Sequence, residues 1–392
     1  MRVLFILTEL PYPASRNGIA LINHELLRQA PENAHIDLLI TGVEEPNANK
    51  ERLRAVAPTI DRITFTGEPF SRKYRVGNLL SGALLGRNLF SQPGVRSYLS
   101  KLRILPDAIY VAPLMSGLDL RLARPLFLNA VDSFAQLNEN AFIRTGSWRD
   151  RLKMVLYRAY ERRALGAASL INFVSKVDLE SVRSRAPALP LINLSNGVDS
   201  SKFTPDESRR VPGRLLFTGN FDYAPNAEAA RYLVTVIFPQ IRAAVPMATL
   251  QIVGRNPPSE ILHCPGVDAT GYVEDIVSCY RSAQVFVCPL LSGAGVKNKV
   301  LEALSSGLPV VTTSLGIDGI AFLKEDKHYL LADDPRAFVQ SVVAILKDEG
   351  LRSSLGQEAR AIVTRYHGWG PIVERYFEAL RQVARKRKQV AS

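Results

Sequence analysis

At 392 residues, 47% hydrophobic and 22% charged, the chain is long enough for two domains with complete cores and too apolar for a disordered segment. No apolar run approaches the roughly 18 residues of a membrane span, and the N-terminal MRVLFILTEL enters a strand pattern directly instead of a cleavable signal pattern, so the expected location is the cytoplasm. Cys264, Cys279 and Cys288 are odd in number and lack metal-ligand spacing, which argues against a disulfide framework and a zinc module, while the formal net charge of +12 points to an anionic partner.

Strand-length apolar runs alternate with helical patterns along nearly the whole chain, which predicts an α/β protein with parallel sheets and helices on both faces. A first series runs Arg2 to Leu7, Ile36 to Thr41, Arg62 to Thr66, Ala108 to Ala112, Leu126 to Val131, Leu170 to Val174 and Pro190 to Leu194. A second runs Arg214 to Thr218, Thr249 to Val253, Val267 to Thr270, Gln284 to Cys288, Pro309 to Thr312 and His328 to Leu331. Between them SNGVDSSKFTPDESRRVPG is polar, rich in turn residues and aperiodic, so 196–212 is expected to link domains at 1–195 and 213–365. Residues 366–392 follow as a further helical segment, redirected at Gly368, Trp369, Gly370 and Pro371.

Ligands of open parallel sheets sit beyond the carboxyl ends of the strands, which makes the loops there the candidates. After the first strand, Asn17 and Gly18 open a helix and offer backbone N–H groups to an anion, or Gly18 is simply a turn device. After Val131, Asp132 is either a carboxylate that positions substrate or handles a proton, or the N-cap of the next helix. Gly219 and Asn220 follow Thr218 in a strand-to-turn passage. Past Val267 to Thr270, read as an interior strand, the backbone at Val273 or the carboxylate of Asp275 is placed to read a base edge.

The strongest local signal is SGAGVKNKVLEALSSGLPVV at 292–311. Gly293 and Gly295 permit positive φ and a close ligand approach, and the helix that follows turns its free N–H groups toward the loop. Lys297 and Lys299 bring two cations to the first turn, where the helix dipole disfavours them, so a bound anion is expected to offset the cost. Glu302 lies three residues past Lys299 and four past Asn298, on one helical face with both. A nucleotide diphosphate with its ribose suits such a loop; an ordinary βαβ unit with solvated lysines is the competing reading.

The positive charge is unevenly placed. From Phe70 to Arg103 the chain holds Arg72, Lys73, Arg75, Arg87, Arg96, Lys101 and Arg103 without an acid, interleaved with Leu79, Leu80, Leu84, Leu85, Leu89 and Phe90. That composition fits a segment lying on an anionic membrane surface, with RQVARKRK at 381–388 assisting, or else a solvated basic face. No nucleic-acid-binding module is visible, and nucleic acid is not an expected partner.

Taken together, the linker NGVD, LLFTGNFDYAPN, GYVEDIVSCYRSAQVFVCPL, GAGVKNKVLEALSSGLPVVTT and the terminal YHGWGPIVERYFEAL resemble the retaining glycosyltransferases of family 4, within them a subgroup with a glycine-rich GxGxKNKxLEA pattern. The resemblance covers the second half strongly and the first half in outline. It implies the GT-B fold: two Rossmann-like domains facing a central cleft, with 1–195 binding the acceptor, 213–365 the donor, and 366–392 crossing back to the first domain and ending in a basic tail. It also implies transfer with retention from a UDP- or GDP-sugar to a saccharide or lipid-linked acceptor, in envelope polysaccharide or glycolipid synthesis at the inner face of the membrane.

In that family the second glutamate of a Glu-x7-Glu motif binds the donor ribose, and Glu302 matches it. Ala294 stands where the first glutamate belongs, so the backbone of Gly293, Ala294, Gly295 and Val296 is expected to contact the sugar instead. The Arg and Lys dyad that binds the diphosphate is also missing, with Asn220 and Asn226 near its places, which leaves Lys297 and Lys299 for that role. A histidine common in the first domain is absent, and Asp132 is nearest to its position. On the family's pattern the leaving phosphate takes the acceptor's proton, so neither a strong protein base, a metal nor another cofactor is expected. A sugar-nucleotide epimerase and a degenerate nucleotide-binding scaffold are the alternatives on the same fold.

Overall fold

The computed structural model describes the chain apart from residues 13–16, 42–45, 67–71, 87–92, 103, 114–124, 294 and 392, and apart from the side chains of 46–48, 72–75, 93 and 387–391. Ala294, Phe70, Arg87, Leu89, Phe90 and Arg103, with the side chains of Arg72, Lys73, Arg75, Arg387 and Lys388, therefore lie outside the described residues. The chain forms two units, Met1–Ser195 with Ile372–Ser392, and Asn196–Pro371.

Among its described residues the first unit holds a seven-stranded parallel sheet of β1 (Arg2–Leu7), β2 (His35–Thr41), β3 (Ile60–Thr66), β4 (Ala108–Ala112), β5 (Leu126–Val131), β6 (Leu170–Phe173) and β7 (Leu191–Asn193), in the order β3-β2-β1-β4-β5-β6-β7. Every residue of β4 and β5 is buried, which is why these strands read as apolar runs without alternation, interrupted in β5 by Asn129. Its helices are α1 (Gly18–Arg28), α2 (Pro46–Val56), α3 (Arg72–Leu85), α4 (Pro93–Ser100), α5 (Phe134–Thr145), α6 (Trp148–Arg163) and α7 (Lys176–Arg185). Leu79 and Ala83 of α3 pack with Tyr160 of α6 over Ile109, Leu126 and Leu128. A buried polar chain crosses the sheet: the Tyr110 hydroxyl donates to Asn23, Asn129 donates to Tyr110, and Asn172 donates to Asn129, each at 2.9 Å. Asn172 also reaches the Tyr376 hydroxyl at 3.0 Å, so each amide buried in the sheet has a partner.

The second unit holds a six-stranded parallel sheet of β8 (Arg214–Thr218), β9 (Thr249–Val253), β10 (Val267–Thr270), β11 (Val285–Cys288), β12 (Val310–Thr312) and β13 (Leu330–Leu331), in the order β10-β9-β8-β11-β12-β13. Around it lie α8 (Ala224–Tyr232), α9 (Phe238–Ala244), α10 (Ile276–Ser282), α11 (Asn298–Ser305), α12 (Ser314–Ile317), α13 (Pro335–Lys347) and α14 (Glu349–His367). The last helix, α15 (Trp369–Ala391), begins beyond Gly368, whose extended backbone ends α14. Two sequence-based expectations are corrected here. Strand β10 is at the sheet edge, paired to β9 alone, because strand order is set by crossovers that apolarity does not encode. The stretch 196–212 is not featureless either: it contains a 3₁₀ turn at Glu207–Arg209 and a bridge from Val198 to Gly368.

Candidate functional site

In the second unit β8 and β11 are neighbours that are distant in sequence, so the chain leaves their carboxyl ends in opposite directions and opens a crevice there. The two loops at this switch point carry Gly219 and Asn220 on one side and residues 292–297 on the other. They are tied together by side chains. Lys299 Nζ on α11 donates to Asn226 Oδ1 on α8 at 2.6 Å, and Asn226 Nδ2 donates to the carbonyl of Asn220 at 2.8 Å. A side chain at Gly219 would begin 3.0 Å from the Asn226 amide, so Asn226 would have to shift by a few tenths of an ångström to admit one.

Lys299 pairs with a neutral amide, and its ammonium lies 4.5 Å from the centre of the Phe217 ring. Burial, with repulsion from Lys297 added, pulls its pKa down to about 8 despite the opposing pull of Cys288 and Glu302. Lys297 sits differently from the expectation: it is the N-cap of α11, not a first-turn residue, and it is buried with its ammonium bonded to the carbonyl of Gly295. Its charge acts on Asp318, a half-buried carboxylate whose pKa burial raises and Lys297 lowers.

One turn along α11, Glu302 Oε2 accepts a hydrogen bond from the Tyr280 hydroxyl at 2.8 Å. That hydroxyl also lies 3.0 Å from Thr218 Oγ1 and 3.3 Å from the carbonyl of Lys299. Burial raises the Glu302 pKa above the ordinary carboxylate value, opposed by the Tyr280 bond and by Lys202 and Lys299. Gly293 and Gly295 have φ of 116 and 74, the left-handed region that the loop was expected to use. Ser292 donates to Glu228 Oε2 at 2.6 Å, and Asn298 Oδ1 accepts from Asn196 at 2.8 Å. Val296 and Val273 are half-buried and pack on the core of this unit.

Capping distinguishes the helices at this crevice from the others of the unit, except α9, which continues the chain from α8 and also lacks a side-chain cap. Helices α10, α12, α13 and α14 each begin with a side chain that accepts from their own N–H groups, namely Asp275, Thr313, Asp334 and Asp348. Helices α8 and α11, which start from the switch-point loops, have no side-chain cap, and α11 has no acid in its first turn. Its positive end therefore faces the loop with two lysines beside it, a combination that an anion relieves. Asp275, expected to read a base edge, has its carboxylate engaged with the N–H and hydroxyl of Ser278.

The expected residues of the first unit are placed otherwise. Asn17 caps α1, accepting from the N–H of Ala20 at 2.8 Å and donating to Glu9 at 3.0 Å, with Gly18 as the first helical residue. Asp132 is half-buried after Val131, which takes φ of 70. It is not the N-cap of α5: Ser133 accepts from the N–H of Gln136, and the buried carboxylate of Glu161 accepts from Ser133 at 2.9 Å. Tyr280, Thr218 and Asp318 were not singled out in the sequence, since each comes from a segment separate from the glycine loop. Among the described residues no group of three or more His, Cys, Asp and Glu could hold a metal ion, and the three cysteines are free. No helix among them is long and apolar enough to cross a membrane.

Among comparisons with known proteins, the family model falls within this unit. Residues 212–348 match the family model described as glycosyl transferases group 1. A phosphatidyl-myo-inositol mannosyltransferase from Mycolicibacterium smegmatis is 27% identical over 227 residues, a match spanning 54% of this chain and 56% of that protein. The chain thus spans little more than half the length of that relative. Among solved structures, the sucrose-phosphate synthase from Thermosynechococcus elongatus aligns with a TM-score of 0.70 at 16% identity, over 98% of this chain and 99% of that one. HepE from Anabaena in complex with UDP-glucose aligns with a TM-score of 0.66 at 14% identity, over 97% and 100%. The fold is GT-B, two Rossmann-like domains each built on a parallel sheet.

Proposed function

We propose that the chain is a glycosyltransferase of the retaining family 4 type, moving a sugar from a UDP- or GDP-sugar to a saccharide or lipid-linked acceptor in envelope polysaccharide or glycolipid synthesis. The observation that carries this reading is the uncapped positive end of α11, with Lys299 held against a neutral amide at the switch point and Glu302 one turn away. The group 1 match over 212–348 and the UDP-glucose complex of a structural neighbour support a nucleotide-sugar donor, and the name of the mannosyltransferase supports a hexosyl group and a lipid acceptor.

In this reading the α11 N–H groups, Lys299 and Lys297 hold the diphosphate, Glu302 accepts from the ribose hydroxyls, and the Gly293 to Val296 backbone lines the sugar. As the bond from the anomeric carbon to the phosphate oxygen breaks, the acceptor oxygen bonds that carbon from the same face and its proton passes to the departing phosphate. The cations stabilise the charge that develops on that phosphate, so the reaction proceeds without a metal cofactor. Asn17, Gly18 and Asp132 belong to the acceptor-binding domain in this reading, which works at the inner face of the membrane with the basic 70–103 stretch near the lipid.

A thermal-shift screen of UDP, GDP and their sugars tests the donor reading: a nucleotide at 100 times its dissociation constant should stabilise the chain by about 2.7 kcal/mol. No shift with any of them would overturn it.

A further inference from the structure

The hairpin of α5 and α6 carries a surface for which the donor site has no use. Helix α6 is buried at Met154, Tyr160 and Glu161, while Trp148, Leu152 and Val155, spaced i, i+4 and i+7, line its outer side with 68%, 50% and 52% of their surface exposed. Ile143, near the end of α5, is 76% exposed. Between them Gly146 takes φ of 66, and a side chain there would meet nothing within 4 Å, so the tip of the hairpin is open.

The fully exposed charge on this side is of one sign; Glu139 of α5 is half-buried and paired with Arg158 of α6. The other exposed residues of α6 are Arg149, Arg151, Lys153, Arg162 and Arg163. Both acids of the helix turn away: Glu161 is buried against Ser133 and Arg185, and Asp150 is largely covered and paired with Lys153 at 3.3 Å. Helix α3 packs against α6. It contains no acid, exposes Val76, Leu80 and Leu84 along one side, and is tied at its end to α6 by a 2.6 Å bond from Arg163 Nη1 to the carbonyl of Ala83.

An exposed apolar stripe of this extent marks an interaction surface. A protein partner would be expected to meet a mixture of charges on its rim; an acid-free basic rim around aliphatic residues, with a tryptophan at the open tip, has the chemistry of a bilayer interface rich in anionic headgroups. We propose that the α5–α6 tip and the outer side of α3 dock on an anionic phospholipid surface. The proposal rests on and deepens the membrane reading of the 70–103 stretch, which contains α3, and it is separate from the donor site, to which none of these residues belongs.

Sedimentation of the full chain with vesicles of phosphatidylcholine, alone or mixed with phosphatidylglycerol, tests it. Of the two tryptophans, Trp369 is only 4% exposed, so a blue shift of emission on vesicle addition reports on Trp148. Binding is expected only with phosphatidylglycerol present, with the blue shift, and should weaken as salt is added. The double variant Trp148→Ala with Leu152→Ala should lower the partition coefficient about tenfold or more. Replacing Arg149, Arg151 and Lys153 by Gln should lower it by about fivefold per cation removed. Because all five side chains are exposed, the melting temperature and any nucleotide-induced shift should stay unchanged. Absence of binding at low salt, equal binding to neutral vesicles, or undiminished binding by both variants would overturn the proposal. So would a concentration-dependent dimer that the double variant abolishes in a chain that ignores lipid, since the face would then belong to a second copy.

Discussion

The two sheets share one winding, a central strand with two neighbours laid down on one side and the rest on the other, yet the helices that start at their centres are finished differently. In the first unit α1 closes its own positive end with Asn17, which is itself held by Glu9. In the second, α8, which follows the corresponding strand β8, has no side-chain cap, and neither has α11 after the neighbouring strand β11, where a lysine stands at the capping position. A cap satisfies N–H groups permanently; its omission leaves the same groups to an external anion. The difference teaches that a shared topology offers the same place twice, and local chemistry decides which copy is prepared for a ligand.

The sharpest way to break this contrast is Lys299→Met. It should lower turnover with the cognate UDP- or GDP-sugar by about 10²- to 10³-fold, as loss of a preorganised charge stabiliser does; wild-type turnover would remove Lys299 from the diphosphate. Glu302→Ala should weaken nucleotide binding by about 10- to 100-fold in calorimetry, through loss of charge-assisted hydrogen bonds worth about 1.5–3 kcal/mol.

A pH series examines the same lysine without mutation. Its folded pKa of about 8 lies below the ordinary 10.5, so between those values the unfolded chain binds more protons than the empty folded one, and this group's contribution to folding stability rises with pH across that window. On the proposed role nucleotide binding uses the ammonium, so the melting shift caused by UDP or GDP should shrink as pH rises past about 8. A shift that is constant or grows would contradict the role given to Lys299.

The smallest effect comes from exchanging the two finishes. Asn17→Ala should cost about 1 kcal/mol of stability and leave nucleotide affinity untouched. Lys297→Ser, which installs a cap on α11, should do the reverse and weaken nucleotide binding, measured by the same melting and calorimetric titrations.

Much of the fold was legible because strands covered on both faces are written as mainly apolar runs: Leu126–Val131 and Ala108–Ala112 begin and end where the sequence places them. The glycine loop was legible too, since the positive φ at Gly293 and Gly295 leaves its mark in residue type. Side-chain partnerships across segments were not. Nothing local says that Tyr280 reaches Glu302 from another helix, that Ser133 and not Asp132 caps α5, or that Asn226 meets Lys299. The basic apolar face of α6 was hidden for a related reason: Asp150 and Glu161 break the charge pattern in sequence, and only the burial of Glu161 and the covering of Asp150 leave the outer side free of acid.

The Tyr280 hydroxyl has a single proton and three oxygens within reach, on Glu302, Thr218 and Lys299. If a ribose hydroxyl donates to Glu302, as proposed, that proton has other acceptors to turn to in Thr218 and the Lys299 carbonyl. Because a carboxylate accepts several hydrogen bonds, Glu302 can take such a hydroxyl whether it keeps the Tyr280 bond or gives it up, and the phenol is satisfied in either case.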